Sequence, residues 1–448
     1  MIRRRVFAGL AEIVSLLAIS GAARANPLDT FGFGSRQTAL AGAVSADVAD
    51  FSANYYNPAG LARARGLELS IGYFRAQHYL QTNGRDNGVD PVRGLSGGIV
   101  APGALLGIPF AFGLGLHLPD DRISRVRALR QEQPRWELYD NRNQRLFLAA
   151  NVAVSPTPWL QIGGGASFMS STEGRLDITG SANLFKADAS QLRHEVDADL
   201  TAVRYPQLGA RVALGENAAL SVVYRGQFAL KLDLRARLLG DVSGLTTAYY
   251  SLVESSVDAF LPQQVVFGGS WRLSRRLRAN ADFTWINWSA YVAPVANVAV
   301  DLAIPAPAGG WPAGISPPAV PAPIRIVPLV MHDRVVPRIG VEYTFASGAR
   351  WGAQARAGYE LAKSPVAAQT LSTSYVDRDR HSLSVGAGVR LTNAIAVLPG
   401  ELRLDAHLQW SLLVTEGTLK RDPADFVGDF TAGGQIWNAG ATLTAGFR

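Results

Sequence analysis

The sequence has 448 residues, of which 48% are hydrophobic, and it carries a formal net charge of +7 but no cysteine. The lack of cysteine excludes a disulfide scaffold, a thiolate metal site and a cysteine nucleophile. The mean hydropathy is only +0.08, and no apolar run after the N-terminal segment reaches the roughly 20 residues that a membrane-spanning helix needs, so the apolar residues must be distributed with a short period.

The chain begins with a segment that has the layout of a secretory signal peptide. Three arginines at positions 3–5 precede an apolar stretch that ends in the small-residue pattern Ala23-Arg24-Ala25. This layout predicts export and cleavage after residue 25, so that residues 1–25 are the signal peptide. Removing them takes away four Arg and one Glu, and the net charge falls from +7 to +4. We therefore expect no nucleic-acid partner, because the excess of positive charge largely disappears.

Residues 26–66 follow, and they lack a strand-like pattern. The segment is rich in small residues, could form one or two short helices around residues 36–47, and contains the stretch NYYNPAG at positions 54–60. Pro58 cannot donate a hydrogen bond to a sheet and restricts the conformation of Asn57 before it. The stretch therefore interrupts the backbone just before the first predicted strand.

From residue 67 onward, apolar residues recur with a period of two. In residues 401–412, for example, Leu402 and Leu404 alternate with Arg403 and Asp405. Successive side chains of a strand point to opposite faces, so this alternation predicts strands with one apolar and one polar face. Fourteen strands are predicted, covering residues 67–79, 95–102, 110–118, 145–155, 159–173, 200–213, 218–235, 260–273, 276–288, 331–346, 350–361, 380–391, 401–413 and 434–447.

The connections between these strands alternate between short and long. Short turns are predicted at residues 155–158, 215–217, 274–275 and 347–349, and long loops at residues 120–144, 174–199, 236–260, 289–329, 362–379 and 414–433. Transmembrane barrels of bacterial outer membranes have an even number of strands, short periplasmic turns and long outer loops. The fold class is therefore predicted to be all-β, with residues 67–448 forming a 14-stranded antiparallel transmembrane β-barrel. The alternative is a secreted protein of several β-sandwich domains, which would show weaker face polarity and no such alternation of loops.

A barrel of fourteen strands has an interior wider than its own side chains can fill. Barrels of this class can be closed by loops or by a helical segment. We therefore predict that residues 26–66 form an N-terminal hatch, or plug, inside the lumen.

Three stretches of the chain resemble the FadL/TodX-type outer-membrane transporters of long-chain fatty acids and other hydrophobic compounds. The first is the small-residue N-terminal segment with Asn57, Pro58 and Ala59, which looks like the hatch motif of that family. The second is residues 261–289, and the third is residues 351–388, which include Ser364-Pro365 and Asp379-Arg380 at the family's spacing. The resemblance extends from residue 31 to the end of the chain.

The resemblance implies a mechanism for hydrophobic cargo. In this family, outer loops capture the ligand, it enters an apolar pocket in the barrel, and it leaves sideways at a kink in the third strand. The candidates for that kink are Gly113 and Gly115, although glycines that merely admit the hatch are an equal alternative. The apolar, proline-rich residues 289–329 are a candidate capture surface. Arg175 and His332, by approximate position, are candidates for binding a carboxylate head group.

The remaining charged residues give no sign of an enzyme. The catalytic motifs G-x-S-x-G and H-E-x-x-H are absent, and His381 and Ser382 point to opposite faces of their strand. Asp377, Asp379 and Arg380 are interpreted as a charge cluster that orders an outer loop.

We expect no cofactor and no metal site. The expected partners are a hydrophobic small molecule, outer-membrane lipid with lipopolysaccharide, and the barrel-assembly machinery, for a protein that acts as a monomer.

Two further functions remain open at this point. One is an outer-membrane enzyme that modifies lipid, and the other is a structural or adhesive barrel. The chain also ends on Phe447-Arg448 rather than on an aromatic residue, which leaves the effect of Arg448 on assembly as an open question.

Overall fold

The computed structural model describes most of the chain after the predicted signal peptide. The described residues are 27–121, 134–140, 145–181, 191–242, 246–291, 297–303, 305–310, 329–369, 375–394, 400–425 and 427–447. Residues 1–26 and Arg448 lie outside them. In the part of the chain that the structure describes, no helix combines the length and the apolar character needed to cross a membrane.

The chain after residue 66 forms a closed antiparallel barrel of fourteen strands, which confirms the predicted fold. Its first and last strands pair from Leu67 opposite Phe447 to Thr82 opposite Ala432, and this pairing closes the sheet. The barrel strands are β1 (Leu67–Thr82), β3 (Val92–Leu105), β4 (Ile108–Pro119), β5 (Phe147–Thr157), β6 (Leu160–Ser181), β7 (Gln191–Leu214), β8 (Ala218–Arg225), β11 (Gln264–Arg272), β12 (Leu277–Ile286), β14 (Arg334–Ser347), β15 (Trp351–Ala362), β16 (Arg380–Thr392), β17 (Gly400–Thr418) and β18 (Phe430–Phe447).

The period of two in the sequence corresponds to the two surfaces of the barrel. Outward side chains are large and apolar, and Ile71, Phe283 and Val385 are 58%, 53% and 53% exposed on the isolated chain. Their neighbours along the strands point into the lumen and are polar and buried, as Asp282 and Ser384 show. The first set faces outward and the second set faces the interior, which is the pattern of a transmembrane barrel.

One predicted strand is wrong in its second half. Residues 218–235 do not form a single strand, because β8 ends at Arg225 and a new strand, β9 (Phe228–Val242), leaves the barrel. The break occurs at Gly226, whose backbone N–H donates to the carbonyl of Pro206 at 2.8 Å. That bond and the proline ring against Gly226 turn the chain away from the wall.

The long predicted loops are also more ordered than expected. β9 pairs with β10 (Thr246–Leu261), which pairs with β13 (Asn297–Ala303), to form a separate three-stranded sheet. β6 and β7 continue their pairing out to Ser181 and Gln191, so most of the loop predicted at residues 174–199 is a strand extension. A two-residue strand, β2 (Arg85–Asp86), extends the β1 ladder.

The segment before the barrel folds into short helices. These are α1 (Pro27–Phe31), α2 (Ser35–Ala39), α3 (Ala53–Tyr56) and a 3-10 helix over Pro58–Arg63. Outside this segment there are only α4 (Glu137–Asp140) and a 3-10 helix over Trp288–Ala290 among the described residues. The short helices leave many side chains free to contact the barrel wall, and that interface is the candidate site.

Candidate functional site

Residues 27–66, which we call the hatch, pack inside the barrel against strands around its whole circumference. The clearest signs are glycines on the inner face of the wall, where a side chain would collide with the hatch. A Cβ on Gly163 would lie 2.5 Å from the carbonyl carbon of Pro58, and one on Gly340 would lie 2.8 Å from the Leu40 oxygen. We call this set the wall glycines, and it consists of Gly98, Gly113, Gly115, Gly163, Gly209, Gly268, Gly340, Gly358 and Gly386.

The predicted hatch motif lies at the centre of this interface. Asn57 is fully buried, and its side-chain amide donates to the carbonyl of Ser45 at 2.8 Å and to that of Ala210 on β7 at 3.3 Å. Its Oδ1 accepts the backbone N–H of Ala59 at 3.0 Å and so caps the helix that begins at Pro58. One side chain therefore links two parts of the hatch to each other and to the wall.

Ion pairs form a second link between hatch and wall. Arg36 contacts Asp47 at 2.6 Å within the hatch and Glu342 of β14 at 3.0 Å. Glu342 also pairs with Arg356 of β15 at 2.6 Å, and Arg356 pairs with Asp405 of β17 at the same distance. This ionic chain joins the hatch to three strands of the wall, β14, β15 and β17.

Asp47 is the most heavily paired carboxylate of the hatch. It also contacts Arg278 of β12 and, at 4.0 Å, Arg63. Burial acts to raise the pKa of Asp47, but the neighbouring guanidinium groups, chiefly Arg36, outweigh it and hold that pKa well below its usual range. Asp47 therefore keeps its charge more readily than an ordinary carboxyl group.

Sequence reasoning missed the residues of the wall that hold the hatch. Arg225 of β8 donates to the carbonyl of Tyr55 at 3.0 Å and lies 4.4 Å above the Tyr55 ring. Asp282 of β12 accepts the backbone N–H groups of Val44 and Ser45 at 3.1 and 3.0 Å. One signal in the sequence could have identified them. Each is a charged residue at a strand position whose side chain points into the lumen, where the hatch was predicted.

Gly113 and Gly115, the candidates for a kink, both face the hatch. A Cβ on Gly113 would lie 2.6 Å from Leu61, and one on Gly115 would lie 3.0 Å from Asn54. The pairing of β4 with β3 and with β5 runs through both glycines without a change of register. In this conformation they admit the hatch, and a lateral opening beside them stays a prediction.

A cluster of buried aromatic side chains fills the lumen at the loop end of the barrel. We call it the outer cluster, and its members are Phe31, Phe74, Ala76, Leu80, Val89, Val92, Trp136, Leu138, Tyr139, Phe260, Ile286, Trp288, Tyr291, Met331, Val336, Ala362, Tyr375, Val376, Leu413, Phe430, Ala432 and Ile436. The Phe260 and Tyr291 rings lie 5.4 Å apart, edge to face, and the Tyr291 and Tyr375 hydroxyls lie 2.8 Å apart. Phe31 belongs to the hatch, so the cluster rests directly on it.

The predicted charge cluster lies beside the outer cluster. Asp379 accepts the backbone N–H of Ser364 at 2.8 Å, and Arg380 pairs with Glu360 of β15 at 2.5 Å. Asp377 accepts the Tyr139 hydroxyl at 3.3 Å, and burial raises the pKa of Asp377. The three residues contact different partners, and two of them, Asp377 and Arg380, are buried rather than exposed.

The two candidate head-group residues are not brought together. His332 is exposed beside Met331 of the outer cluster, and its backbone N–H donates to the Pro365 carbonyl at 2.7 Å. Arg175 is opposite Asp197 in the β6–β7 ladder, but its side chain lies outside the described part of the chain. Most of the predicted capture surface, residues 289–329, also lies outside it.

A small polar cavity lies between the hatch and the wall. Its volume of about 30 Å³, beside Asp29, Tyr55, Arg225, Arg338 and Glu360, is room for one or two water molecules. Within the described ranges, no group of three His, Asp or Glu residues is placed to hold a metal ion.

Several solved structures of outer-membrane proteins superimpose on this chain over nearly their whole length. A Pseudomonas aeruginosa FadL homologue superimposes with a TM-score of 0.54 at 15% identity, covering 92% of this chain and 97% of that one. The Ralstonia pickettii toluene transporter TbuX gives 0.51 at 16%, with coverages of 93% and 98%. The P. putida toluene transporter TodX gives 0.50 at 14%, with 93% and 99%. At these identities the likeness establishes the fold alone.

The sequence comparison establishes more. No curated protein matches the chain. Residues 144–405, more than half of the chain, match the family described as outer membrane protein transport protein (OMPP1/FadL/TodX). The chain therefore belongs to this family, and the protein is an outer-membrane β-barrel that functions in transport and not as an enzyme.

Proposed function

We propose that the protein is a passive channel for the uptake of hydrophobic compounds across the outer membrane, chiefly long-chain fatty acids or related hydrocarbons. The observation that carries this proposal is the outer cluster, an apolar and aromatic filling of the lumen at the end where external solutes arrive. Solved structures with this fold include toluene transporters and a FadL homologue.

The outer cluster suits an apolar solute and not a hydrophilic one. Burying apolar surface is favourable by roughly 25 cal/mol per Å², so a hydrocarbon gains free energy by entering a dry aromatic site. A hydrophilic solute would lose its hydration there without compensating hydrogen bonds. Passage therefore needs no energy source beyond the concentration gradient of the cargo.

The proposed route has three steps. Outer loops capture the ligand, it enters the lumen at the outer cluster, and it leaves sideways into the membrane at the third barrel strand, β4, beside Gly113 and Gly115. The packing of the hatch against the wall glycines favours a sideways exit, because the axial route is filled at their level. If the cargo is a fatty acid, Arg175 and His332 are the proposed partners of its carboxylate.

Other features of the proposal concern the setting of the protein. We propose that the signal peptide is cleaved after residue 25, that the barrel-assembly machinery inserts the chain, and that it acts as a monomer surrounded by lipid and lipopolysaccharide. The apolar outward face of the strands supports the contact with lipid.

Uptake by whole cells tests the function directly. Cells that produce the protein should accumulate labelled oleate or labelled toluene faster than cells that lack it. A preference between the two would show whether the cargo is a fatty acid or a neutral hydrocarbon. Equal uptake of both compounds with and without the protein would contradict the channel and favour a structural or adhesive barrel.

A disulfide across the proposed exit tests the route. Leu114 and Ala150 are paired across β4 and β5 on the outward face, so Leu114→Cys with Ala150→Cys should tie the strands together without touching the hatch. Oxidation should then slow uptake, and reduction should restore it. The matched control is Val385→Cys with Leu408→Cys, an outward pair across β16 and β17. An equal effect of both disulfides would argue against an exit at β4.

A further inference from the structure

Three buried histidines lie beside Phe31 and Phe74, where the hatch meets the outer cluster. His78, His117 and His407 are 3%, 0% and 7% exposed, and together with Phe31 and Phe74 we call them the histidine cluster. The His117 ring stacks on Phe74 at 5.3 Å, and the Phe31 ring lies 6.3 Å from Phe74 and 5.6 Å from His78. His407 Cε1 and Phe74 Cβ both lie within 2.8 Å of the point that a Cβ on Gly440 would occupy.

Backbone carbonyls fix the tautomers of two of these rings. His78 Nδ1 lies 2.8 Å from the carbonyl oxygen of Asp90, and His117 Nδ1 lies 3.1 Å from that of Leu95. A carbonyl oxygen can only accept, so each Nδ1 must carry the hydrogen. In the neutral ring, Nε2 is then a hydrogen-bond acceptor.

The third ring is oriented by an amide. His407 Nε2 lies 3.5 Å from Asn438 Oδ1, and the Asn438 amide nitrogen donates to the Phe31 carbonyl at 2.9 Å. Since that nitrogen is the donor of Asn438, its oxygen faces His407 and accepts from Nε2. His407 Nδ1 is then the acceptor.

All three acceptors lack a donor among the described protein groups. They are His78 Nε2, His117 Nε2 and His407 Nδ1. A buried polar atom without a partner is costly, and native proteins retain few of them. Three such atoms of one chemical kind beside the rings of Phe31 and Phe74 point to a ligand that supplies a donor.

We propose that the histidine cluster binds the hydroxyl group of a hydrophobic ligand, so that the preferred cargo is an apolar compound with one O–H donor, such as an alkylphenol, an alcohol or a protonated carboxylic acid. This inference rests on the proposed function and narrows its cargo. The rings of Phe31 and Phe74 supply the apolar surroundings that the rest of such a molecule requires.

The local space and charge agree with this ligand class. A cavity of about 10 Å³ between Phe31, Phe74 and His407 is close to the size of one hydroxyl or water. None of the residues that line it is Lys, Arg, Asp or Glu. A larger ligand would take the place of the Phe31 ring, which belongs to the hatch. A carboxylate would meet unshared electron pairs and no cation there, so the anion is disfavoured.

Two probes of nearly equal shape test the site, because p-cresol carries a hydroxyl where p-xylene carries a methyl group. Binding to the full-length protein in lipid nanodiscs, corrected for empty nanodiscs, should favour p-cresol. His117→Phe keeps a ring against Phe74 but removes the acceptor, so it should weaken p-cresol binding about twofold to tenfold and leave p-xylene unchanged. His117→Gln keeps an acceptor near the position of Nε2 and should restore p-cresol binding.

The outcomes separate this inference from the proposed function. A wild-type protein that binds p-xylene but shows no preference for p-cresol, or a His117→Phe variant that weakens both probes equally, overturns the hydroxyl site and leaves the channel standing. Binding of neither probe overturns the hydroxyl site, and the channel is then judged by the uptake of labelled oleate and toluene. p-Methylbenzoate at neutral pH, an anion of similar shape, should bind more weakly than p-cresol, and equal binding would overturn the assignment of the histidines as acceptors. Heat-modifiable mobility on a gel checks that each variant is folded.

Discussion

The two halves of the barrel lumen are built from different chemistry. At the turn end, the hatch packs an apolar cluster against the wall and is also held by charged and backbone groups, with Arg36 between Asp47 and Glu342 and with Asp282 binding two backbone N–H groups. At the loop end, the outer cluster consists mainly of aromatic and aliphatic side chains in van der Waals contact. The first half adds directional bonds to its apolar packing, whereas the second half depends mainly on apolar surface area.

This difference corresponds to two different tasks. Charge-assisted hydrogen bonds need defined geometry, and the wall glycines leave no space for a shifted hatch, so the turn end holds one segment in one position. Apolar contacts are non-directional and roughly proportional to area, so the loop end can accept ligands of several shapes. A channel for hydrophobic compounds needs a seal, a hatch that closes the lumen to water-soluble molecules. It also needs an entrance that accepts ligands of different shapes.

The strongest way to test the seal is to prevent the hatch from moving. The Leu40 Cβ lies 3.0 Å from the position of a Cβ on Gly340 of β14 and the Leu40 oxygen lies 2.8 Å from it. A disulfide needs about 3.5 to 4.5 Å between the two Cβ atoms, so Leu40→Cys with Gly340→Cys requires the hatch backbone to move slightly away from β14. The hatch fills the lumen beside the proposed exit, and oxidation should therefore abolish most uptake of toluene or oleate. A reductant should restore it.

The native chain has no cysteine, so the engineered pair is the only one that can form. The control is Ser382→Cys with Ser411→Cys, two buried lumen residues whose hydroxyls lie 2.8 Å apart across β16 and β17. That pair ties wall to wall and should leave uptake unchanged. Full uptake through the oxidised Leu40–Gly340 pair would show that cargo passes without hatch movement.

Neutralising Glu342 should loosen the seal instead of locking it. Glu342→Gln removes the carboxylate shared by Arg36 and Arg356, and breaking a buried ion pair typically costs about 3–5 kcal/mol because a charge is left uncompensated. Cells should become more sensitive to large hydrophilic antibiotics. Glu401→Gln is the matched control, since its pairs with Arg390 and Arg403 are about one-third exposed and each is expected to contribute less than about 1 kcal/mol. Equal sensitivity of the two variants would contradict the role of the ionic chain.

The strands of the barrel could be predicted from the sequence because each strand is specified by the pattern of residues within it. A strand such as β12, predicted at residues 276–288 and found at Leu277–Ile286, is specified by alternation along ten residues. The exception is residues 218–235, where the alternation continues through Gly226 although the chain leaves the wall. Periodicity reports that a segment is extended and two-faced, but it does not report which strand becomes its neighbour.

The contacts of the hatch could not be predicted in the same way. Arg36 and Glu342 are 306 positions apart, and Asn57 reaches Ala210 across 153. No spacing rule connects such residues, because their proximity follows from the closure of the barrel around the hatch. The motif Asn57-Pro58-Ala59 is predictable because it resembles the motif of a family. The roles of Arg225 and Asp282 and the unpartnered histidine nitrogens become visible only in the three-dimensional structure.

The hatch motif gives a smaller and more local test of the seal. Asn57→Ala removes the cap on Ala59 and the bonds to Ser45 and Ala210, which should destabilise hatch docking by about 1–3 kcal/mol. Pro58→Ala keeps those bonds and should cost about 1 kcal/mol or less. Protease cleavage of the hatch in purified protein measures the difference. If neither substitution changes cleavage, uptake or ligand binding, the motif has no role in the hatch.

The smallest effect is expected in the outer cluster, which we predict to tolerate the replacement of one apolar side chain by another. Phe260 is fully buried against Trp288 and Tyr291, and Phe260→Leu replaces one apolar side chain by another at a cost of less than about 1.5 kcal/mol. Uptake of toluene should change by less than about threefold, and antibiotic sensitivity should not change, because no bond to the hatch is lost. Phe260→Asp places a carboxylate in the same apolar surroundings and should reduce uptake much further. If Phe260→Leu were as damaging as Glu342→Gln, the loop end would also depend on one fixed geometry, and the contrast between the two halves of the lumen would be wrong.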